Sequence, residues 1–297
     1  MKETLRYLAG MPAKWLWLKI TAEQVTEDCS SFFSSPLTAI ITEILMHYQT
    51  FTSSCRGNSG IGAETGRVLA KRGVRVVIPA RDLKKAAEII LFEIDLSSLA
   101  SVQGFCHEGL FKIWSSRDKI EMTFATNTWK MIETADKTGV QGRIINLSSV
   151  IHSWVKRDDF CFARMLNPKN YNGTRAYAQS KLANILHVKE LSRQLQSRNA
   201  RVSINAVHPG IVKTGIIRAH KGFITDSLFF IASKLLKSTS QGASTTCYVA
   251  LSPQTEGVSG KYFADCNETN TSPLANDESE GQRLWKQTRA LIQRRLR

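Results

Sequence analysis

Long apolar runs are missing from this chain of 297 residues. The longest, Leu228 to Leu236, is nine residues with a lysine inside it, against the ~20 that a spanning helix needs, so an integral membrane protein is not expected. CxxC pairs are missing as well. Cys29, Cys55, Cys106, Cys161, Cys247 and Cys266 are scattered, which indicates neither a zinc site nor a disulfide framework and favours a reducing compartment. The amino terminus has scattered lysines and a short apolar patch from Trp15 to Ile20, with no small-residue cleavage site behind it. No secretory signal is expected, and an intracellular location is, with an organelle address left open. Internal repeats are absent. Acid is scarce relative to base: 25 Asp+Glu stand against 40 Lys+Arg, a net charge of +15. Such a balance favours nucleic acid, anionic membrane or a phosphorylated cofactor as partners. No platform of interleaved aromatic and basic residues supports the first of these, so no nucleic-acid role is expected.

What is present suits a globular protein. At 42% hydrophobic and 22% charged residues, the chain can bury a sizeable core, and disorder, collagen and coiled coil are excluded. From residue 37 onward short apolar runs alternate with amphipathic segments, the pattern of a parallel sheet covered by helices on both faces. Strands are expected at Leu37 to Thr42, Val74 to Ile78, Ile89 to Ile94, Arg143 to Leu147 and Val202 to Val207, with a last short one at Gly260 to Phe263. Helices are expected at 60–72, 97–107, 175–195 and 241–251, and a basic helical ending from about 278. The expected organisation is an N-terminal extension (1–36), a dinucleotide-binding domain (37–275) carrying an atypical insertion at 43–56, and a basic tail (276–297).

The clearest chemical signal is Tyr177-Ala-Gln-Ser-Lys181 at the start of a helical run. Four residues along a helix bring two side chains onto one face, so the Lys181 ammonium can lie near the Tyr177 phenol. A phenol titrates near ~10 and becomes a useful acid or base at neutrality only beside stabilising positive charge. Ser148 and Ser149 end the run RIINLSS, and the carboxyl ends of parallel strands open onto the ligand crevice, where a serine can hydrogen-bond a substrate oxygen. Gly57-Asn-Ser59-Gly60-Ile61-Gly62 opens a helix, and glycines at a strand-to-helix turn let the backbone approach a pyrophosphate at the positive helix end. After the next strand stands Arg81, where an arginine suits a 2′-phosphate and so favours NADP(H). Asp95, closing LFEID, either holds an adenine edge or caps the following helix.

Together these residues resemble the short-chain dehydrogenase/reductase family. The stretches GNSGIGAETGRVLAKRG, IPARDLKKAAE, FEIDLSSLASV, GRIINLSSVIHSW, NYNGTRAYAQSKLANILH, INAVHPGIVKTGI and GKYFADCNE are most similar to its plant retinol-dehydrogenase-like branch, which includes an import dehydrogenase of the chloroplast inner envelope. The resemblance implies a single-domain, doubly wound α/β fold of Rossmann type and a catalytic set of Tyr177 as acid/base, Lys181, Ser149 and Asn127, the last in the stretch FATN. It also implies a cofactor site built from Gly57, Ser59, Gly60, Ile61, Gly62, Arg81, Asp95, Leu96, Tyr177 and Lys181, closed by Pro209, Gly210, Val212 and Thr214 around the nicotinamide. The activity implied is NADP(H)-dependent hydride transfer to or from a lipophilic alcohol or carbonyl, the hydride chemistry belonging to the cofactor.

Three departures from the family pattern stand in the chain. Residues 43–56 separate Thr42 from the glycine turn and put Arg56 where the first glycine is expected. No NNAG strand exists, only a makeshift alternation at Leu110 to Trp114, and a missing central strand is expected to leave unpaired backbone on both neighbours. After Asn127 there is no room for the family's long subunit-packing helix. A second reading therefore stays open: a non-catalytic or regulatory member of the same fold, redox-sensing or calmodulin-binding, or an inactive splice form. The tail Leu284 to Arg297 is basic and amphipathic, which suits a calmodulin-type groove, an anionic membrane or plain packing on the domain edge. Phe223 to Leu236 falls in the family's variable substrate lid, and a homo-oligomer is possible.

Overall fold

The computed structural model describes residues 21–27, 39–41, 60–72, 77–80, 90–93, 125–161, 172–212 and 236–295. In chain order these form α1 (Ala22–Val25), β1 (Ala39–Ile41), α2 (Gly60–Lys71), β2 (Val77–Ala80), β3 (Ile90–Glu93), α3 (Ala125–Thr138), β4 (Gly142–Leu147), α4 (Gly173–Ser197), β5 (Val202–His208), α5 (Thr239–Leu251), β6 (Tyr262–Ala264), β7 (Asn267–Glu268) and α6 (Glu278–Arg295). Short 3-10 turns join several of them, of which Val150–Trp154 and Pro273–Asn276 matter below.

Every residue of β4 and β5 is buried, as befits parallel strands covered on both faces. Their side chains alternate between two cores. Ile144, Val202 and Ile204 pack with Leu182, Ile185 and Leu186 of α4 on one face. Ile145, Leu147 and Val207 pack with Leu69 of α2 and Val249 to Leu251 of α5 on the other. The result is a single-domain, Rossmann-like sandwich of helix, parallel sheet and helix, the fold class the alternating pattern implies. Its five-stranded sheet runs β1-β4-β5-β6-β7, parallel except for the last hairpin pair. A separate parallel pair is formed by β2 and β3.

Polar residues inside the sheet have assigned work. Arg143 is buried in β4, and its Nη1 donates to Ser252 O at 2.8 Å and Thr255 Oγ1 at 2.9 Å, and more weakly to Val249 O and Ala250 O. One guanidinium thus satisfies the carbonyls that the end of α5 leaves over. Asn205 of β5 spans the turn before β6, donating to Val258 O at 2.7 Å and accepting from Lys261 N at 3.0 Å.

One expectation requires correction. The missing central strand does not strand its neighbours: β1 pairs directly with β4, Ala39 opposite Arg143, Ile40 opposite Ile144 and Ile41 opposite Ile145, so the ladder closes across the deletion. The segment after Asn127 does hold a helix of its own, though a short one. Residues 125–138 form α3, with Asn127 inside it, because Met131 and Ala135 one turn apart both reach the core. Glu133 and Lys137 support it as an i,i+4 pair at 2.6 Å, and Gly139, at φ +72°, ends it. A smaller difference concerns β2, which runs past its expected end, through Pro79 to Ala80.

The N-terminal stretch contributes a helical turn with a capping box, Thr21 Oγ1 accepting from Gln24 N and Gln24 Oε1 from Thr21 N. Ala22 packs with Val68, Ala243 and Cys247, and Glu23 bridges Arg67 at 2.8 Å and Lys71 at 2.6 Å. The insertion at 43–56, the expected helix at 97–107 and the stretch Leu110 to Trp114 lie outside the described residues.

Candidate active site

α4 carries the central pair. Asn172 caps its start by accepting from Arg175 N at 3.0 Å, and Tyr177 sits in the second turn, 36% exposed. Lys181, one turn on, is only 4% exposed. A buried ammonium must find acceptors, and Lys181 Nζ donates to Leu147 O at 3.2 Å while lying 5.4 Å from the centroid of the Tyr177 ring. That is within reach of a cation–π attraction. Asn184 Nδ2 shares the same carbonyl at 2.7 Å.

The strand end is stitched to this helix in return. Ser148 N–H extends the ladder to Val207 O at 2.7 Å, and its hydroxyl donates to Lys181 O at 2.8 Å. Ser148 is therefore structural, and Ser149 is the serine left at the opening. Ser149 is half-buried and extended (φ −158°, ψ 154°), and caps the 3-10 turn Val150–Trp154, its Oγ accepting from Ile151 N at 3.4 Å. Since that contact uses a lone pair, the hydroxyl proton remains available to an oxygen in the crevice.

Beside β4, β5 ends opposite it, Leu147 facing Val207, and Pro209 to Val212 leave from the same edge. Gly210 has φ +86°, a conformation that favours glycine, and a Cβ there would lie 2.7 Å from Lys237 Cδ and push the lysine end aside. Lys237 holds the segment through its N–H to Ile211 O at 2.9 Å and forms an ion pair with Asp265. Burial pushes the nearby His208 down to about 3, with Asp265 opposing and Lys237, His152 and Lys181 adding to the effect.

The third wall is the start of α2. Gly60 has φ +66°, is exposed, and has open space where a Cβ would be. No acidic residue occupies the first turn. The N–H groups of a first helical turn, the positive helix end and an unobstructed glycine suit a diphosphate-bearing dinucleotide. Gly62 follows in the same turn. Ile61 and Val212 meet over Gly242 of α5, where a Cβ would lie 2.6 Å from Val212 and 3.2 Å from Ile61. This contact joins the helix of the glycine turn to the segment after β5.

Of the expected site residues, the fold thus gathers Tyr177, Lys181, Ser149, Gly60, Ile61, Gly62, Pro209, Gly210 and Val212 around the carboxyl ends of β4 and β5. Asn127 belongs to α3 rather than to a strand end. Gly57, Ser59, Arg81, Asp95, Leu96, Thr214 and most of the lid segment lie outside the described residues. Sequence reasoning missed Asn184, His152 and the Lys237–Asp265 pair. Only the first two had a signal, as polar residues three positions beyond Lys181 and Ser149. Among the described residues no group of His, Cys, Asp and Glu could hold a metal, and no helix is long and apolar enough to cross a membrane.

No protein-family profile matches the chain. Individual relatives do. Short-chain dehydrogenase TIC 32 B, chloroplastic, of Brassica napus is 38% identical, the match covering 89% of this chain and 90% of the relative. Retinol dehydrogenase 14 of Homo sapiens is 33% identical over 84% of this chain and 87% of that protein. Two solved structures share the fold: an uncharacterised protein from Mycobacterium paratuberculosis (TM-score 0.55, 23% identity, 87% and 94% of the two chains) and the 3-ketoacyl-(acyl-carrier-protein) reductase of Brucella melitensis complexed with NADH (TM-score 0.54, 16% identity, 77% and 96%). With a buried lysine under an exposed tyrosine at the carboxyl edge of a parallel sheet, and relatives of this identity along nearly its whole length, the chain belongs to the short-chain dehydrogenase/reductase family.

Proposed function

We propose that the chain is an NADP(H)-dependent oxidoreductase that interconverts a lipophilic alcohol and its carbonyl, with Tyr177 as the acid/base. The observation that carries this reading is the Lys181 ammonium, fixed to Leu147 O and lying 5.4 Å from the Tyr177 ring centroid. The nicotinamide supplies or accepts the hydride. In the reducing direction the Tyr177 hydroxyl donates its proton to the oxygen that becomes an alkoxide, and Lys181 keeps positive charge beside the phenol as that proton leaves. The Ser149 hydroxyl donates to the same oxygen and fixes its direction. Asn127 is assigned to a water that returns the proton to Tyr177. The dinucleotide is assigned to the glycine turn (Gly57, Ser59, Gly60, Ile61, Gly62), to Asp95 and Leu96, and to Pro209, Gly210, Val212 and Thr214. Arg81 is assigned to the 2′-phosphate, the basis for choosing NADP(H).

The lipophilic substrate class rests on the retinol dehydrogenases among the relatives, and a chloroplast location on the relatives called chloroplastic, while the inner envelope rests on the resemblance of the sequence motifs alone. In α6, Leu284 packs on α4 while Lys286, Arg289 and Arg294 face outward, a charged face suited to an anionic membrane or to calmodulin. A homo-oligomer is kept as part of the reading. A second reading, a regulatory member of the fold or an inactive splice form, is favoured by the direct pairing of β1 with β4, which leaves no strand between the two where the family pattern has one.

Thermal unfolding with saturating NADPH or NADH separates the two. At about 100 times Kd a ligand that binds only the folded state adds about 2.7 kcal/mol, so NADPH is expected to raise the melting temperature by several degrees and NADH by less. No shift with either overturns the enzyme reading in favour of the second. Tyr177→Phe is expected to lower NADPH-dependent reduction of decanal by about a hundredfold or more with the cofactor shift intact.

A further inference from the structure

Ser149 is held by a histidine three residues on. The 3-10 turn Val150–Trp154 brings His152 back over Ser149, and two donors converge on the Ser149 carbonyl: the His152 backbone N–H at 3.1 Å and ring Nδ1 at 2.7 Å. On the far side of the ring, Nε2 accepts the Ser272 backbone N–H at 3.2 Å. A ring nitrogen that accepts carries no proton, so the proton of the neutral ring is on Nδ1, where it donates to Ser149 O. The ring stands edge-on to Tyr262 of β6 at 5.2 Å and is 3% exposed. It is walled in on every side by the chain itself.

We propose that His152 is a positioning residue for Ser149: its Nδ1–H, oriented by Ser272, locks the Ser149 backbone so that the side-chain hydroxyl keeps one direction into the crevice. The inference rests on the reading of Ser149 as a group that binds the substrate oxygen. The geometry requires some such lock. Ser149 follows the last ladder bond of β4, from Ser148 N to Val207 O, and its own Oγ is tied only by the long 3.4 Å contact from Ile151 N. Without the ring, the peptide after Ser149 would keep one turn bond and could rotate about the ψ of a residue outside both sheet and helix. A small misplacement of a group that binds a reacting oxygen costs up to about a hundredfold in rate. At 3% exposure the ring itself does not reach the crevice, and Ser149 is the site residue whose backbone it holds.

Two substitutions separate the halves of the ring. His152→Asn keeps a donor near the Nδ1 position and gives up the acceptor for Ser272. His152→Gln keeps an acceptor toward Ser272 and withdraws the donor from Ser149. Steady-state reduction of decanal by NADPH is measured for both, for Ser149→Ala, and for Ser149→Ala combined with His152→Gln. The expected result is a kcat about tenfold lower in His152→Gln with KM for NADPH within about twofold, and recovery in His152→Asn to within about threefold of the wild type. In the Ser149→Ala background, His152→Gln should cost nothing further. A second measurement needs no turnover: exchange of the Ile151 amide, which Ser149 Oγ holds, should be about tenfold faster in His152→Gln and unchanged in His152→Asn.

Equal kcat and equal Ile151 exchange in the two variants would overturn the inference. So would an undiminished cost of His152→Gln in the Ser149→Ala background. If Ser149→Ala itself leaves the rate intact, or the wild type does not turn over, the reading of Ser149 fails instead, and the exchange comparison alone decides whether His152 sets that residue.

Discussion

A lysine that keeps only 4% of its surface in water is a constraint on everything around it. Lys181 meets that constraint through Leu147 O, a carbonyl at the very end of β4, and Asn184 shares it at 2.7 Å. The two roles of this lysine are separable. Lys181→Met keeps the volume and leaves Leu147 O satisfied by Asn184, so the stability cost is expected to be about 1 kcal/mol, read from the urea midpoint. The rate of NADPH-dependent reduction should fall about a hundredfold or more. Loss of stability and rate in step would instead mark Lys181 as a structural residue. The pairing of Tyr177 with Lys181 was legible because four residues along any helix fix it. The Leu147 carbonyl and Asn184 were not: what a buried polar group bonds to is decided by which strand end lies under it, and local spacing carries no record of that. Ser149 was legible as a member of a serine pair at a strand end, and only the fold shows that Ser148 is spent on Lys181 O while Ser149 is not.

Elements were legible in proportion to how much of their surface they bury. β4 and β5, buried at every position, announce themselves as apolar runs; α3 hides, because only Met131, Ala135 and the half-buried Ile132 meet the core within a stretch otherwise rich in polar residues. The closing of β1 onto β4 could not be read at all, since adjacency of strands is settled by what else can pair. The crossing of α2, α5 and the segment after β5 is a more exacting feature of the same kind. Gly242 lets Val212 and Ile61 touch the α5 backbone, and a Cβ would stand 2.6 Å from one and 3.2 Å from the other. Gly242→Ala gains helix propensity yet has to push Val212 or Ile61 aside. A net destabilisation of about 1–3 kcal/mol is expected, together with a smaller thermal shift by NADPH, because both displaced side chains line the proposed cofactor site. Arg143 offers the complementary case. Arg143→Met would take a donor from the carbonyls of Val249 and Ser252, which keep Thr255, and from that of Ala250, and a loss of about 2 kcal/mol in denaturant unfolding is expected, with cofactor binding retained in the population that remains folded.

At the scale of the whole molecule, a net charge of +15 makes further protonation unwelcome, and the buried His208 and half-buried His187 sharpen the effect. Burial holds His208 down to about 3 and His187 down to about 4, the latter partly offset by Glu190 and stacked on Trp285 at a ring separation of 5.3 Å. In the unfolded chain both return to about 6.5. Below that pH the unfolded state therefore binds more protons than the folded one, so their contribution is fully present above 6.5 and is lost as the pH falls toward 4. The carboxylates act elsewhere on the scale. Glu23 is held down to about 2 by Lys71 and Arg67, and Asp277 lies well below the usual carboxylate range through Ser279 and Arg157, so both begin to cost stability only once the pH drops under the ordinary carboxylate values. Between pH 6.5 and 5 the slope belongs to the histidines. Urea unfolding at a series of pH values is expected to show stability falling by about 1 kcal/mol per pH unit for each. His187→Leu removes one of these titrating groups and fills the same space between α4 and α6, so it should lower the slope by about 1 kcal/mol per pH unit while leaving stability at pH 8 close to that of the parent chain. A stability that stays flat from pH 7 to 5 would mean that these rings open to water before the chain unfolds, and that the packing of α6 on α4 is looser than the stacking of His187 on Trp285 requires.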